Sequence, residues 1–416
     1  MSANPTHSSQ PSIRQIGVFA ILGFLALSSY GLARPAIESI FLGSYGKDAL
    51  PYVWLAVALV AFSVVGFYNR YAAWTHPATL FGVTAGLSAF TLGAILLARS
   101  ADLPGADFIL YVWKDVYIVV LVEIFWTYAN AVFPIRSARW LYGLFLVVGT
   151  LGSISGELAV GWLAQAFGTW TAVWCVGGVL LTLAAGSLVL DRSGADGWTA
   201  SKAAGGASIA RSFAILSESR YVALLLGLIM TTQLVITLID YQYNALLELH
   251  YPDQDARTQV GGQVYAAISA SSLALQLLAG VILRLLGVPW TLLLVPLLLG
   301  VSVFGVLLVG GFGIAAVGKA ASKVFDYSIF RAAKELLYIP LSAEEKTQGK
   351  AIVDMFGYRF AKGGASLLIL GLSAATATNL LMTVSIACLV LIGLWAFITH
   401  RLVSSYREST QDHQPN

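Results

Sequence analysis

The stretch VPWTLLLVPLLLGVSVFGVLL, residues 288–308, contains no charged residue and is long enough to cross a lipid bilayer. A helix of about 20 apolar residues spans a hydrocarbon core about 30 Å thick. Strands that cross a membrane are about ten residues long and alternate apolar with polar side chains, and this stretch does neither. It is therefore predicted to be a membrane-spanning helix.

Similar apolar runs recur along the chain of 416 residues, of which 58% are hydrophobic and 11% are charged. They predict an all-α membrane protein with twelve transmembrane helices, at 14–34, 49–68, 78–98, 108–133, 140–164, 170–190, 220–246, 259–283, 288–308, 312–335, 350–374 and 378–399. The longest polar interruption is rich in Gly, Ala and Ser. The predicted domains are an N-terminal six-helix bundle (1–190), a linker (191–218) and a C-terminal six-helix bundle (219–416), the layout of a two-fold repeated transporter.

The positive charges predict the orientation of the spans. If the N-terminus is cytoplasmic, the cytoplasmic segments hold thirteen Lys and Arg residues, whereas the outer loops hold only Lys47, Arg99 and Arg257. An excess of Lys and Arg is typical of cytoplasmic loops. We therefore predict a multi-pass membrane protein with a cytoplasmic linker and both termini in the cytoplasm. The first apolar run continues to about residue 33, which favours a retained span over a cleaved signal peptide.

A short internal repeat supports the division into halves. IFWTYANAVFP (124–134) lies at the end of span 4, and IFRAAKELLYIP (329–340) lies at the end of span 10. Both begin with Ile-Phe and end at a Pro that closes the helix. Spans 4 and 10 are the two that correspond if the second half repeats the first.

Ionisable side chains inside the spans are candidates for function. Each costs about 2.5–3.5 kcal/mol at a helix centre, so such residues are expected to pair, to face a wet cavity or to mark a substrate path. Eight cations lie within or at the edges of the spans: Arg34, Lys114, Lys319, Lys323, Arg331, Lys334, Arg359 and Lys362. Eight anions accompany them: Glu38, Asp115, Glu123, Glu157, Asp240, Asp326, Glu335 and Asp354.

In the first half, Arg34 and Glu38 are four residues apart, a spacing that suits an ion pair on one helical face. Both border the predicted outer loop, so solvation at the surface is the alternative. Glu123 lies deep in span 4, and Asn130 follows seven residues later on the same face, so both are interpreted as functional. Lys114 is predicted to be interfacial, with its amine reaching toward water.

In the second half, Asp240 follows span 7 at the place that Arg34 takes after span 1. One face of span 10 carries four charged residues, Lys319, Lys323, Asp326 and Lys334. Arg331 and Glu335 are predicted to form an i,i+4 pair on a neighbouring face.

Span 11 carries Asp354 and Lys362 on one face, with Arg359 beside it. The alternative interpretation is that the cytoplasmic ends of spans 10 and 11 are solvated, which we expect for Lys334, Glu335 and residues 344–350. Apart from Lys350 at the start of span 11, which is counted with the cytoplasmic segment, the two spans together hold six cations and three anions. This surplus would suit an anionic substrate, because Lys and Arg make charge-assisted bonds to phosphate and carboxylate.

Four stretches carry a family resemblance. The longest is KELLYIPLSAEEKTQGKAIVD (334–354), followed by RFAKGG (359–364); the others are YGLARPAIESIFLGSYG (30–46), FWTYANAVFPIRSARWLYGLFLVVGTLGSISG (125–156) and DYQYNALLELHYP (240–252). They resemble the ATP/ADP translocase (nucleotide transporter) family of intracellular bacteria and plastids, which is related to the major facilitator superfamily. The resemblance implies a major-facilitator-like fold and nucleotide exchange, with Lys323 to Lys362 as one wall of an anion path and its cytoplasmic gate.

The chain departs from the family pattern near the end of span 1. Ile37 stands where the nucleotide exchangers carry a lysine, and Pro35 stands where they carry an acidic residue. The first half is thus more similar to divergent bacterial members of the family, and these departures put the cargo in question.

The leading hypothesis is a nucleotide or organic-phosphate antiporter that works by alternating access. Its predicted substrate-binding residues are Arg34, Lys319, Lys323, Arg359 and Lys362. Its predicted coupling or gating residues are Glu38, Glu123, Asn130, Asp240, Asp326, Arg331, Glu335 and Asp354. A second hypothesis keeps the fold and makes the protein a proton-coupled carrier of another metabolite, peptide, siderophore or drug. A non-transporting membrane protein is the third.

Enzyme motifs offer no fourth hypothesis. GIAAVGKA (313–320) resembles a phosphate-binding loop, but it has Ala320 where the Mg²⁺-binding hydroxyl belongs, and it lies inside an apolar helix. No zinc-ligand spacing, catalytic Cys/His set or nucleic-acid-binding module is recognisable. We expect no enzymatic activity, no cofactor, no metal and no nucleic acid, and predict a monomer whose partners are the lipid bilayer and a small anionic substrate.

Overall fold

The computed structural model describes residues 12–72, 75–187, 209–342, 344–350, 353, 357–376 and 379–411, nearly all of them helical. Thirteen α-helices occupy these residues: α1 (Ile13–Tyr45), α2 (Leu50–Ala72), α3 (Pro77–Ser100), α4 (Ala106–Val132), α5 (Ile135–Phe167), α6 (Thr169–Ser187), α7 (Ile209–Glu218), α8 (Arg220–His250), α9 (Gln254–Val309), α10 (Phe312–Phe325), α11 (Arg331–Leu337), α12 (Tyr358–Ala375) and α13 (Leu380–Gln411). A π-helical turn (Asp326–Phe330) joins α10 to α11.

The helices account for the twelve predicted spans. Eight described helices are long and apolar enough to cross a membrane: α1, α2, α3, α5, α6, α8, α9 and α13. α9 contains two spans, because the backbone kinks at Gly287, whose φ of 72° is a left-handed value that favours glycine. The remaining three spans are α4, which carries four charged residues, the interrupted α10–α11 pair, and the shorter α12.

Two spans extend further than the sequence indicated. α1 runs through Pro35 to Tyr45, and α8 runs to His250. Glu38 therefore lies inside α1 and not after it, which corrects the predicted end of span 1. Arg34 and Asp240, which were described as following spans 1 and 7, lie within the helices, as the predicted bounds of those spans already required. The cause is that polar side chains stop a hydropathy run but do not stop a helix, since their hydrogen-bonding groups find partners within the protein.

The predicted loop between spans 10 and 11 is also partly helical. Residues 344–350 form a helical turn that includes a π-helical stretch (Glu345–Gly349). The sequence between Ser342 and Lys350 contains no glycine until Gly349, and Ser342 caps its start by accepting from and donating to Glu345. The stretch between the predicted spans 10 and 11 is therefore helical over residues 344–349, which the predicted span boundaries did not include.

The chain forms two compact units. Of the described residues, unit 1 takes 12–41, 59–187 and 254–266, and unit 2 takes 42–58, 209–253 and 267–411. Most of the first six spans lie in unit 1, but the first part of α9 clusters with them. The division into sequence halves at residues 191–218 stays a prediction.

Close backbone contact positions α1 against α5 in unit 1. A Cβ added to Gly152 would lie 2.2 Å from the carbonyl oxygen of Phe24, and one added to Gly156 would lie 2.3 Å from that of Ser28. Only glycine permits such an approach between helices. The contact holds α1, at Gly31, against Glu157, whose side chain is buried and accepts a hydrogen bond from Ser153.

Helix α8 is the centre of unit 2 and packs against α10, α12 and α13. Its N-terminus is capped by Ser219, whose side chain accepts from the backbone N–H of Val222. Almost every residue from Val235 to Leu247 is buried. α8 therefore presents Asp240 to α10 inside the unit.

Candidate functional site

A group of charged residues lies within unit 1 where α1 meets α4. Glu38 Oε1 is 3.4 Å from Arg34 Nε and 3.6 Å from Lys114 Nζ, and Lys114 Nζ is 2.8 Å from Asp115 Oδ1. The hydroxyl of Tyr265 donates to Glu38 Oε2 at 2.7 Å. We call these five residues the Glu38 cluster. Its two cations and two carboxylates balance in charge.

The structure confirms the Arg34–Glu38 pair and corrects the prediction for Lys114. Arg34 and Glu38 are largely buried, so surface solvation does not describe them. The Lys114 side chain is only 1% exposed, which contradicts an interfacial position, and its amine lies 3.8 Å from the centre of the Tyr111 ring. Removing the charged amine of Lys114 from water has a large free-energy cost, and the carboxylates beside it are needed to offset that cost.

A second group of charges lies within unit 2. Asp240 on α8 is 2.8 Å from Lys323 Nζ and 3.8 Å from Lys319 Nζ, both on α10. Lys319 is 1% exposed, and its amine lies 4.0 Å from the centre of the Tyr243 ring. We call these four residues the Asp240 cluster. Two ammonium groups share one carboxylate here, so these groups carry a net positive charge.

The two clusters are related by the internal repeat. Lys114 and Lys319 are 205 positions apart, as are Ile124 and Ile329 in the repeated motif. Each lysine is almost fully buried, lies over a tyrosine ring and pairs with a carboxylate from the long helix that begins its half of the sequence. Such a match makes Lys114 and Lys319 structural counterparts.

Asp326 and Lys334 extend the charged face of span 10 into the interior of unit 2. Asp326 lies in the π-helical turn, is buried, and accepts from the side-chain amide of Gln233 at 3.2 Å. Lys334 is also buried, which contradicts its predicted solvation. The π-turn shifts the register of the helix, so residues beyond it face a different direction from that expected for a regular α-helix.

Five predicted residues at the ends of spans 10 and 11 have different outcomes. Glu335 binds Lys350 at 2.6 Å, with both side chains over 40% exposed, and the predicted pairing of Arg331 with Glu335 is wrong. Lys362 has its amine 5.8 Å from the centre of the Trp54 ring. Asp354 and the side chain of Arg359 lie outside the described residues.

Glu123 and Asn130 are exposed on α4. Asn130 accepts a hydrogen bond from the hydroxyl of Tyr142 on α5, whose ring packs edge-on against Trp126 at 5.2 Å. Exposed polar side chains on a membrane-spanning helix are expected to border a water-filled space. The two residues share one surface of unit 1 and do not join the Glu38 cluster.

Several contacts of the clusters were not predicted from the sequence. Tyr265 and Tyr243 are aromatic residues within apolar runs, and nothing in their spacing distinguishes them from packing residues. Gln233, which binds Asp326, follows two threonines within span 7, and nothing in its spacing indicates a charged partner. The correspondence of Lys114 with Lys319 could have been recognised from the sequence, because the repeat that relates Ile124 to Ile329 also relates these two lysines.

The fold and the buried charges define a multi-pass membrane protein with a major-facilitator-like fold. Similar solved structures include a variant of the nucleoside transporter NupG, with a TM-score of 0.73, 12% identity, and 93% of this chain and 99% of that chain covered. A bacterial homologue of the iron transporter ferroportin is also similar, with a TM-score of 0.68, 12% identity and coverages of 94% and 99%. At these identities the likeness establishes the fold alone.

The chain belongs to the TLC ATP/ADP transporter family, whose family model matches residues 169–406, more than half of the chain. It is 24% identical to ADP,ATP carrier protein 3 of Rickettsia bellii, over 72% of this chain and 70% of the relative. It is 25% identical to ADP,ATP carrier protein 1 of Chlamydia pneumoniae, over 73% and 67% respectively. The resemblance in the sequence motifs is thereby confirmed.

Proposed function

We propose that this protein exchanges nucleotides or related organic phosphates across the bacterial inner membrane, as a monomer with both termini in the cytoplasm. The observation that carries the proposal is the Asp240 cluster, in which the buried Lys319 and the largely buried Lys323 share one carboxylate. A phosphate group can replace Asp240, because charge-assisted bonds from ammonium groups to phosphate are strong. The names of the carrier relatives support this class of substrate.

Each predicted residue takes a role in this mechanism. Lys319 and Lys323 bind phosphate in unit 2, together with Arg359 and Lys362, and Arg34 binds phosphate in unit 1. The anions Glu38, Asp240, Asp326 and Asp354 act in coupling or gating, by switching partners between the inward- and outward-open states. Arg331, Glu335, Glu123 and Asn130 act in gating or coupling. Exchange needs no chemical step, because the difference in substrate affinity between two conformations drives the change.

The proposal is tested by uptake of labelled ATP into intact bacterial cells that express the protein, followed by a chase with unlabelled ADP or ATP outside. Uptake followed by release during the chase is the expected result. No uptake, with the protein shown to be folded in the membrane, would contradict the proposal. In that case the substitution at Ile37, which is fully buried, would mark a carrier of different cargo.

The site assignment is tested separately with Lys323→Gln and Lys362→Gln. Each should lower ATP uptake, since each removes a cation proposed to bind phosphate. Lys47→Gln is the matched control, because the Lys47 side chain is exposed and pairs weakly with Asp48 at 4.0 Å. Unchanged uptake by both test variants would overturn the assignment.

A proton-coupled carrier of another metabolite is the second candidate function. The buried position of Asp326 favours it, because a carboxylate inside a membrane helix is a common proton relay. Glu123 and Asp240 would be further relays. Uptake by such a carrier would collapse with the proton gradient and would not respond to nucleotide inside the cell, whereas exchange responds to internal nucleotide.

A further inference from the structure

The first part of α9, residues 254–266, is docked inside unit 1 by close helix packing. A Cβ added to Gly262 would lie 2.5 Å from the carbonyl oxygen of Glu157 on α5. A Cβ added to Gly261 would lie 3.5 Å from the Pro35 side chain on α1. The segment therefore touches α1 and α5 along its length, and glycine is needed where it meets the α5 backbone.

Hydrogen bonds fix the beginning of the same segment. Arg257 is 2% exposed and donates to the backbone oxygen of Ser39 at 2.8 Å and to its hydroxyl at 3.2 Å. The backbone N–H and the hydroxyl of Thr169 both donate to Asp255 Oδ1 at 2.7 Å. Arg257 was expected in an outer loop, and its burial corrects that prediction. The docked state is thus held by specific polar contacts as well as by packing.

Tyr265 lies in the last turn of this segment and reaches the Glu38 cluster. Its hydroxyl donates to Glu38 Oε2 at 2.7 Å, and the Arg34 guanidinium carbon lies 4.0 Å from the centre of its ring. The side chain is 2% exposed. One residue of α9 therefore contacts both members of the Arg34–Glu38 pair on α1.

We propose that Tyr265 is a positioning residue that couples docking of segment 254–266 to the Arg34–Glu38 pair. While the segment is docked, the ring covers the guanidinium and the hydroxyl holds one carboxylate oxygen. When the segment leaves, both contacts are lost, and Arg34 can turn toward an anion. Coupling is reciprocal, so an anion that draws Arg34 away from Glu38 weakens docking by the same factor. The part played by the anion rests on the proposed function, whereas the coupling itself does not.

Cross-linking in purified full-length protein measures docking. The side-chain amide of Gln165 on α5 donates to the side-chain oxygen of Gln259 in the segment. Gln165→Cys and Gln259→Cys are introduced after the two native cysteines are replaced by Cys175→Ser and Cys388→Ala. A short bifunctional thiol reagent then joins the pair, and its yield reports the docked fraction. Gly262→Ala should lower the yield, whereas Gly280→Ala on the same helix, with nothing within 4 Å of an added Cβ, should not.

The coupling is read from a double-mutant cycle without any nucleotide. Tyr265→Phe keeps the ring and loses the hydroxyl, and should lower docking about tenfold, the loss expected for one hydrogen bond to a charged group. Glu38→Gln should lower docking in the parent but add nothing in the Tyr265→Phe background. Tyr52→Phe, at an exposed tyrosine, is the control and should leave the yield unchanged.

Two results would overturn the coupling: an unchanged yield in Tyr265→Phe, or effects of Glu38→Gln and Tyr265→Phe that multiply independently. A third arm adds ATP, which should lower the yield in the parent and not in Tyr265→Phe. If the parent fails to respond to ATP and also fails to transport it, the proposed function fails, while the nucleotide-free cycle still decides whether Tyr265 couples docking to the pair.

Discussion

Two lysine–carboxylate pairs have similar N–O distances but differ in burial. They therefore show how burial, and not distance, changes the contribution of an ion pair to stability. Lys114 lies 2.8 Å from Asp115 with 1% of its side chain exposed, and Lys350 lies 2.6 Å from Glu335 with 42% exposed. Removing one partner of a buried pair leaves a buried charge uncompensated and costs about 3–5 kcal/mol. An exposed pair contributes about 0–1 kcal/mol. Burial therefore decides which of the two lysines the fold depends on.

We predict that Lys114→Met strongly lowers the melting temperature of the purified protein, and that Lys350→Met changes it little. The reason is that Glu38 and Asp115 would both lose the same cation. Thermal unfolding in detergent, followed by loss of the monodisperse peak, measures the difference. Equal shifts in the two variants would show that the Lys114 carboxylates are solvated in the working protein.

Lys319 and Asp240 should have opposite effects on substrate affinity. Lys319→Met removes a cation proposed to bind phosphate, so the half-saturating ATP concentration should rise about tenfold to a hundredfold. Asp240→Asn removes the anion that competes with phosphate for the two lysines, so the half-saturating concentration should fall. Turnover should also fall, since release of substrate becomes slower. A rise in half-saturation in both variants would exclude competition by Asp240.

Helix α5 depends on glycine where it meets α1. An added Cβ at Gly152 would overlap the backbone of α1, whereas one at Gly143 on the same helix would have nothing within 4 Å. Gly152→Ala should therefore destabilise the protein by at least the 1–3 kcal/mol or so typical of overpacking, while Gly143→Ala should be neutral or slightly stabilising. Melting temperatures of the two variants test this. Similar values would mean that α1 and α5 separate easily.

Ser219 links the start of α8 to the turn that contains Glu345. Its hydroxyl is the main cause of the lowered pKa of Glu345, and it also caps α8. A carboxyl whose pKa is lowered by folding stabilises the fold above its ordinary pKa, and this contribution is lost as the pH falls through the lowered value.

We predict that Ser219→Ala costs more stability near neutral pH than in acid below both pKa values. Loss of the cap costs about 1 kcal/mol at any pH, and loss of the Glu345 interaction adds to it only where the carboxylate is charged. Ser217→Ala is the control, because Ser217 bonds only within its own helix, to the carbonyl of Ala214. Melting temperatures at the two pH values measure the effect. An equal loss of stability at both values would show that the Glu345 interaction does not contribute.

For the molecule as a whole, the charge asymmetry predicts the topology. A fluorescent reporter fused after residue 416 should fold in the cytoplasm, and a phosphatase reporter inserted in the turn between α3 and α4 should be active outside. The turn contains Asp102, at a left-handed φ of 53°, and Gly105, at 88°, so it is a tight connection at the helix ends. An active phosphatase at the C-terminus would reverse the predicted orientation.

The number of spans and the family were determined by the sequence alone. Hydropathy counts spans reliably because a bilayer requires long apolar helices and excludes most other structures. The motif from Lys334 to Gly364 identified the family, since it is a long ordered string of residues. The pairing of Arg34 with Glu38 was also predictable, because helical periodicity brings residues four apart together.

The partners of the buried charges were decided by the tertiary structure. Lys114 is a buried member of the Glu38 cluster because α1 and α4 meet there, and Lys319 and Lys323 share Asp240 because α8 and α10 meet. Such contacts join residues far apart in sequence, and hydropathy carries no information about them. For Tyr265 the physical reason is the same: its hydroxyl finds Glu38 only when the first part of α9 packs against α1. Sequence located the charges within the membrane, and packing determined which of them neutralise one another.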